Sequence, residues 1–209
     1  MLPVTLDLSR QRVLLIGDGA AAERRLAALD AAGAGDLAVH AETPSPALAL
    51  AAGSRLVRRL PRAEELALAR LVFISDRAAP DCAALAGLAR RLGALVHVED
   101  EPALCDLHAP AVLRRGDLTI AVSTGGQSPG LAAQLKRFLA TLFGPEWQGR
   151  LETLAALRRG WRERGADAET IARWTETWVS GQGWLPRDDA PAAEAAPGGP
   201  PGEPAATRH

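Results

Sequence analysis

Val13-Leu-Leu-Ile16 and Leu71-Val-Phe-Ile74 are unbroken apolar runs, closed by Gly17 and Ser75. A run without a polar position has no solvent face, so both predict strands buried on two sides, as in a parallel sheet. Residues 20–32, rich in Ala, Leu and Arg, predict a helix that stops at Gly33 and Gly35. Strands are expected over 37–41, 56–60 and 94–98. Helices are expected over 46–52, 62–69 and 81–92, the last stopping at Gly93. Strand and helix alternate throughout, which predicts an α/β fold with an open parallel sheet covered on both faces.

The pattern changes near residue 110. Residues 111–115 and 118–123 read as two strands joined by Gly116-Asp117, a hairpin turn signal. Ser128-Pro129 then opens a helix running to about Phe143, with Ser as N-cap and Pro at the first helical position. Over 146–180, Trp147, Leu151, Leu154, Leu157 and Trp161 recur at helical spacing, as do Ile171, Trp174 and Trp178. These stripes predict two helices packing against a body or a partner, not a cofactor stack. From Leu185 onward the chain is mostly Pro, Gly and Ala, and disorder is expected over 185–209.

Composition narrows the function classes. The 209 residues carry 24 Lys and Arg against 25 Asp and Glu, for a formal net charge of -1. That balance argues against non-specific nucleic-acid binding, which needs a basic excess. Lys136 is the only lysine, which leaves 23 arginines and makes any single arginine a weak signal. Two cysteines, Cys82 and Cys105, suit a reducing compartment. No apolar run reaches the ~18 residues of a membrane span, and the start lacks a signal-peptide pattern. A cytoplasmic protein without membrane attachment is expected.

The chemistry begins at Gly17-Asp18-Gly19-Ala20-Ala21-Ala22, a G-x-G-x-x-A loop directly after a strand and opening a helix. In that context Gly17 permits a tight turn, Gly19 lets the backbone approach a pyrophosphate, and Ala22 lets the helix pack closely. The helix N-terminus attracts phosphate. Dinucleotide binding is the expectation, with a plain glycine turn in an Ala-rich chain as the alternative. Asp18 places a carboxylate where it is unwelcome to a pyrophosphate unless it turns away. Glu42, followed by Thr43, is the candidate acid for the adenine ribose. No arginine cluster lies near it to hold a 2′-phosphate, which favours NAD over NADP.

Further segments complete a pattern. Met1-Leu-Pro-Val-Thr-Leu-Asp-Leu8 opens the chain, and Glu23-Arg24-Arg25 follows the glycine loop. Val96-His-Val-Glu-Asp100 is followed by Leu104-Cys105-Asp106, then Pro110-Ala-Val112. Arg115-Gly-Asp-Leu-Thr-Ile-Ala-Val-Ser-Thr-Gly-Gly-Gln-Ser-Pro129 is the longest block. In this order, over about residues 1–145, they resemble the precorrin-2 dehydrogenase and sirohydrochlorin ferrochelatase family, the N-terminal module of siroheme synthases. The helices beyond match by length and pattern only.

The resemblance implies NAD-dependent oxidation of the tetrapyrrole precorrin-2 to sirohydrochlorin, followed by insertion of ferrous iron as a substrate. It also implies a homodimer. The organisation expected is a Rossmann-like NAD-binding domain over 1–110, a small α+β dimerisation and substrate region over 111–145, and a helical part over 146–184. Cofactor contacts are expected from Gly17, Asp18, Gly19, Ala20, Ala21, Glu42, Thr43, Ser75 and Asp76. Ser75-Asp76 stands where the family commonly has Thr-Asp. Asp18, Arg25, His97 and His108 also depart from the family pattern.

Asp100 matches the family's acid–base aspartate. A carboxylate beside the macrocycle can accept a proton during oxidation and the pyrrole protons during metallation. An Asp at a strand end before Pro102 also suits a simple turn. Ser123, Thr124, Gly125, Gly126 and Ser128 form a small-residue turn running into a helix, able to hold substrate carboxylates or merely to connect two elements. His97, Asp100, Cys105, Asp106 and His108 are potential ligands, but their spacing matches no zinc pattern, and no fixed metal site is expected. A non-catalytic NAD- or tetrapyrrole-binding module, a dehydrogenase without chelatase activity and a nucleotide-sensing regulator remain open.

Overall fold

The computed structural model describes residues 2–185. The disorder expected over 185–209 lies, apart from Leu185, outside the described residues. The chain divides into two compact units, one ending at Pro145 and the other beginning at Glu146.

Five strands form the parallel sheet of the first unit: β1 (Arg12–Ile16), β2 (Asp36–His40), β3 (Leu56–Val57), β4 (Leu71–Ile74) and β5 (Leu95–Val98). Their order is β3-β2-β1-β4-β5, and every pair is parallel. The connecting helices are α1 (Ala20–Ala31), α2 (Pro46–Ala52), α3 (Ala63–Leu68) and α4 (Ala79–Arg91).

The apolar runs divide by alternation. Val13 and Leu15 of β1 face one core with Leu26, Leu29, Val39, Leu48 and Phe73, beneath α1 and α2. Leu14 and Ile16 face the other with Leu66, Val72, Ile74, Ala86 and Val96, beneath α3 and α4. Val13, Leu14, Leu15 and Ile16 are all fully buried. Burying each such Val, Leu or Ile contributes about 1.5–3 kcal/mol. The chain reverses direction across the sheet between β1 and β4, and in open sheets of this kind ligands bind at that point, beyond the strand ends.

Strand β3 is shorter than expected. The Arg59 N–H turns back to the Val57 carbonyl at 2.9 Å, and the Arg59 guanidinium holds Glu65 of α3 by two bonds of 2.6 and 2.7 Å. The chain therefore leaves the sheet after two residues.

Two antiparallel strands, β6 (Ala111–Arg115) and β7 (Leu118–Val122), close through Gly116-Asp117 with Arg115 opposite Leu118. Helix α5 (Pro129–Leu142) follows, and the Ser128 hydroxyl caps it by accepting the Leu131 N–H at 3.3 Å.

The second unit contains α6 (Trp147–Glu163) and α7 (Ala168–Gly181). The apolar stripes meet there: Trp161 packs edge-on to Trp174 with centroids 5.6 Å apart, and Trp178 does the same to Trp184 at 4.8 Å. These tryptophans pack on one another, whereas the stripes were expected to pack against a body or a partner.

Candidate dinucleotide loop and adjoining cleft

The loops after β1 and β4 touch. A Cβ added to Gly17 would lie 2.7 Å from both the carbonyl oxygen and Oγ of Ser75, and 3.0 Å from Ala22 Cβ. Gly17 is thus required by the β4 loop as much as by any ligand. Its N–H donates to the His40 carbonyl at 3.0 Å, which ties the loop to the end of β2.

Beyond Gly17 the N–H groups of Gly19, Ala21 and Ala22 converge at 3.0, 3.3 and 2.8 Å on one carboxylate, that of Asp76. Asp76 has φ +54, a left-handed conformation rare for a residue with a side chain. The start of α1 is therefore an anion cradle, occupied here by a protein carboxylate. Ser75 Oγ, buried beside it, has no hydrogen-bond partner among the described residues. The residues fit a dinucleotide pyrophosphate once the Asp76 side chain swings out.

Asp18 does not point into this cradle. One of its oxygens accepts the Thr43 N–H at 2.9 Å, and the other takes Arg77 Nη2, also at 2.9 Å. Arg77 Nη1 meanwhile reaches Glu42 at 2.7 Å. Glu42 lies two residues beyond β2, not within it. Sequence reasoning missed Arg77, because one arginine among many gives no signal and its partners lie 35 and 59 residues away.

Ala21 opens onto a second space, a cleft of about 680 Å³ between the β5 end and the β6–β7–α5 segment. Asp100 lines it, as do Arg24, Arg25, His97, Glu99, His108, Ser123, Thr124 and Gly126. Gly125 and Ser128, expected to contact substrate, do not line this cleft. Asp100 is exposed and holds φ +61, the second left-handed residue with a side chain among those described. Such strain persists where the surroundings impose it, often at functional sites. Ser123 Oγ accepts the Gly125 N–H at 3.2 Å and Thr124 Oγ1 the Ser128 N–H at 3.1 Å. Each hydroxyl is used there as an acceptor, so its O–H can still donate to a substrate carboxylate.

Behind Asp100 lies a polar wall. Arg25 Nη2 donates to Glu99 at 2.7 Å and lies 3.1 Å from His97 Nε2. A guanidinium only donates, so where Nε2 accepts from Arg25 the ring proton sits on Nδ1, facing the Leu107 carbonyl at 3.1 Å. With the proton on Nε2 instead, the ring faces Glu99 at 3.6 Å. His97, and after it Arg25, hold the Glu99 carboxyl down to about 2 against the opposing effect of burial. A carboxyl held low favours folding above its ordinary pKa, and that contribution disappears as pH falls through the folded value. Glu99→Gln is therefore expected to reduce the loss of stability between about pH 4.5 and 2, read by denaturant unfolding across that range.

The remaining candidate ligands are committed elsewhere. The Cys105 thiol donates to the Val98 carbonyl at 3.2 Å, and burial pushes its pKa up. Asp106 binds Arg90 at 2.9 Å and accepts the Val96 N–H at 3.1 Å. Among the described residues, no three His, Cys, Asp or Glu side chains are placed to hold a metal ion.

Comparison with known proteins places the chain in a family. Residues 4–111, just over half of the chain, match a family model described as putative NAD(P)-binding, and residues 115–142 match one described as sirohaem biosynthesis protein central. The chain belongs to the siroheme synthase N-terminal family. It is 38% identical over 167 residues to a siroheme synthase of Methylococcus capsulatus, covering 78% of this chain and 34% of that protein. It is 34% identical over 204 residues to one from Gluconobacter oxydans, covering 94% of this chain and 41% of the relative. The chain thus spans roughly a third to two fifths of these curated relatives. A solved structure titled SirC, precorrin-2 dehydrogenase, shares the family fold with a TM-score of 0.67 at 22% identity, covering 89% of this chain and 93% of that one. No described helix is long and apolar enough to cross a membrane.

Proposed function

We propose that this chain is an NAD-dependent precorrin-2 dehydrogenase that forms sirohydrochlorin, and that the same cleft serves insertion of ferrous iron. The observation that carries the reading is continuity: Ala21 of the dinucleotide loop and Asp100 line one cleft. Bound NAD supplies the hydride acceptor. Asp100 takes the proton that leaves the substrate as the hydride departs. For metallation the same carboxylate accepts pyrrole N–H protons. Ser123 and Thr124, with Arg24 opposite, hold the peripheral carboxylates of the tetrapyrrole. Gly19, Ala21 and Ala22 hold the pyrophosphate, and Glu42 with Thr43 lies at the ribose.

The competing reading is a non-catalytic module, and one observation favours it: the Asp76 carboxylate already fills the anion cradle. Fluorescence titration with NADH separates an intact from a degenerate cofactor site, and turnover of precorrin-2 with NAD+ separates the enzyme from a module. Saturable NADH binding with turnover supports the enzyme, and no NADH binding, or binding without turnover, supports the module.

We also propose a homodimer in the cytoplasm, joined through the segment from β6 to α5. Leu131, Leu135, Phe138 and Leu142 of α5 are all exposed and recur at four, three and four residues, which makes a continuous apolar stripe. A second copy of the same helix suits such a face, since a homodimer interface matches a patch to itself. Leu135→Glu with Phe138→Glu is expected to convert the dimer to a monomer in light scattering. A wild-type monomer at micromolar concentration would contradict the dimer.

A further inference from the structure

Three loops bring three charges to the outer end of the dinucleotide crevice: Asp18 after β1, Glu42 after β2 and Arg77 after β4. Arg77 is the cation between them. Its side chain is only 9% exposed, and it spans the two carboxylates with bonds of 2.7 Å to Glu42 and 2.9 Å to Asp18. Its Nε is buried without a partner among the described residues. The two acids differ. Asp18 is 20% exposed and fixed from a second side by the Thr43 N–H. Glu42 is 52% exposed, and Arg77 is the partner the structure gives it.

In parallel sheets of this class, an acid near the end of the second strand holds the ribose hydroxyls of NAD, and an arginine nearby accommodates the extra 2′-phosphate of NADP. Here both stand at the same place, and each occupies the other. We propose that the Glu42–Arg77 pair sets cofactor choice: Glu42 receives the ribose diol and keeps Arg77 from serving a 2′-phosphate. This rests on the dinucleotide reading of the site. It replaces the sequence expectation that NAD is preferred for want of an arginine. The arginine is present, brought in from the β4 loop and neutralised.

Removing the Glu42 carboxylate leaves Arg77 Nη1 facing the ribose position while Asp18 still holds Nη2. A guanidinium so placed can donate to a phosphate, the kind of charge-assisted bond arginine makes best. The test is titration of the full chain with NADH and with NADPH, followed by cofactor fluorescence at one fixed ionic strength.

In Glu42→Ser the NADPH Kd is expected to fall at least about tenfold, the size of one charge-assisted bond gained. The NADH Kd is expected to rise about three- to tenfold from the lost ribose contact. In Glu42→Ser combined with Arg77→Gln, the NADPH gain should vanish. Glu42→Gln, which keeps shape and removes charge, should show the same direction, and circular dichroism reports the fold of each variant.

An unchanged NADPH affinity in Glu42→Ser and Glu42→Gln overturns the proposal. So does a gain that survives loss of Arg77. If the unaltered chain binds neither cofactor, the dinucleotide reading falls together with this one. If it binds NADH and the variants gain nothing, only the role of the pair is lost.

Discussion

Asp100→Asn is expected to slow precorrin-2 oxidation by about 10²- to 10⁴-fold, the usual contribution of a positioned general base. The side chain is exposed at the cleft wall, so the change costs no core packing. Asparagine also tolerates the left-handed conformation held at φ +61, so the turn should survive. Binding of NADH should be little altered, because no hydrogen bond ties Asp100 to the glycine loop. Iron insertion into supplied sirohydrochlorin should fall as well, but less, since protons of that conjugated macrocycle can also leave to water. The measurement is the initial rate of each half-reaction under anaerobic conditions. If oxidation alone falls, the two reactions share a cleft but not a base. If neither falls, Asp100 is a turn residue.

Gly17→Val is expected to damage fold and cofactor binding together. The space a side chain needs there belongs to the Ser75 carbonyl, 2.7 Å from the would-be Cβ, with Ala22 on the other side at 3.0 Å. Neither can yield cheaply, since one is backbone and the other seats α1 against the sheet. Forced overpacking of this kind typically costs about 1–3 kcal/mol. For a chain of this size each kcal/mol lowers Tm by roughly 2–4 °C. Thermal unfolding and NADH titration of the same sample check both effects. Gly19→Ala should be milder for the fold, because its added Cβ meets the Asp76 carboxylate at 3.3 Å and that side chain can move.

The contrast shows where sequence reading succeeds. Val13–Ile16 and Leu71–Ile74 announce buried strands because a two-sided burial needs a continuous apolar run. Ser128-Pro129 marks a helix start because capping is a local act of the backbone. The Gly116-Asp117 turn is legible for the same reason, and the pairing register follows from it.

What escapes is chemistry between distant loops. Asp76 falls among the expected cofactor contacts, yet nothing in its neighbours reveals that its carboxylate sits in the α1 cradle 54 to 57 residues back. Asp18 reads as an obstacle until Arg77 is found beside it. The wall of Arg25, His97 and Glu99 joins residues more than 70 positions apart, and only the fold assembles it.

The proposed reaction requires one cleft to couple the glycine loop to the Asp100 carboxylate in turnover. The direct measurement is an anaerobic incubation of the purified chain with precorrin-2 and NAD+, in which NADH and the tetrapyrrole spectrum are followed together. The expected result is one NADH formed per precorrin-2 consumed, with sirohydrochlorin appearing at the same rate and both signals slowed alike by Asp100→Asn. Sirohydrochlorin formed without NADH, or no turnover by a chain that binds both ligands, would contradict it.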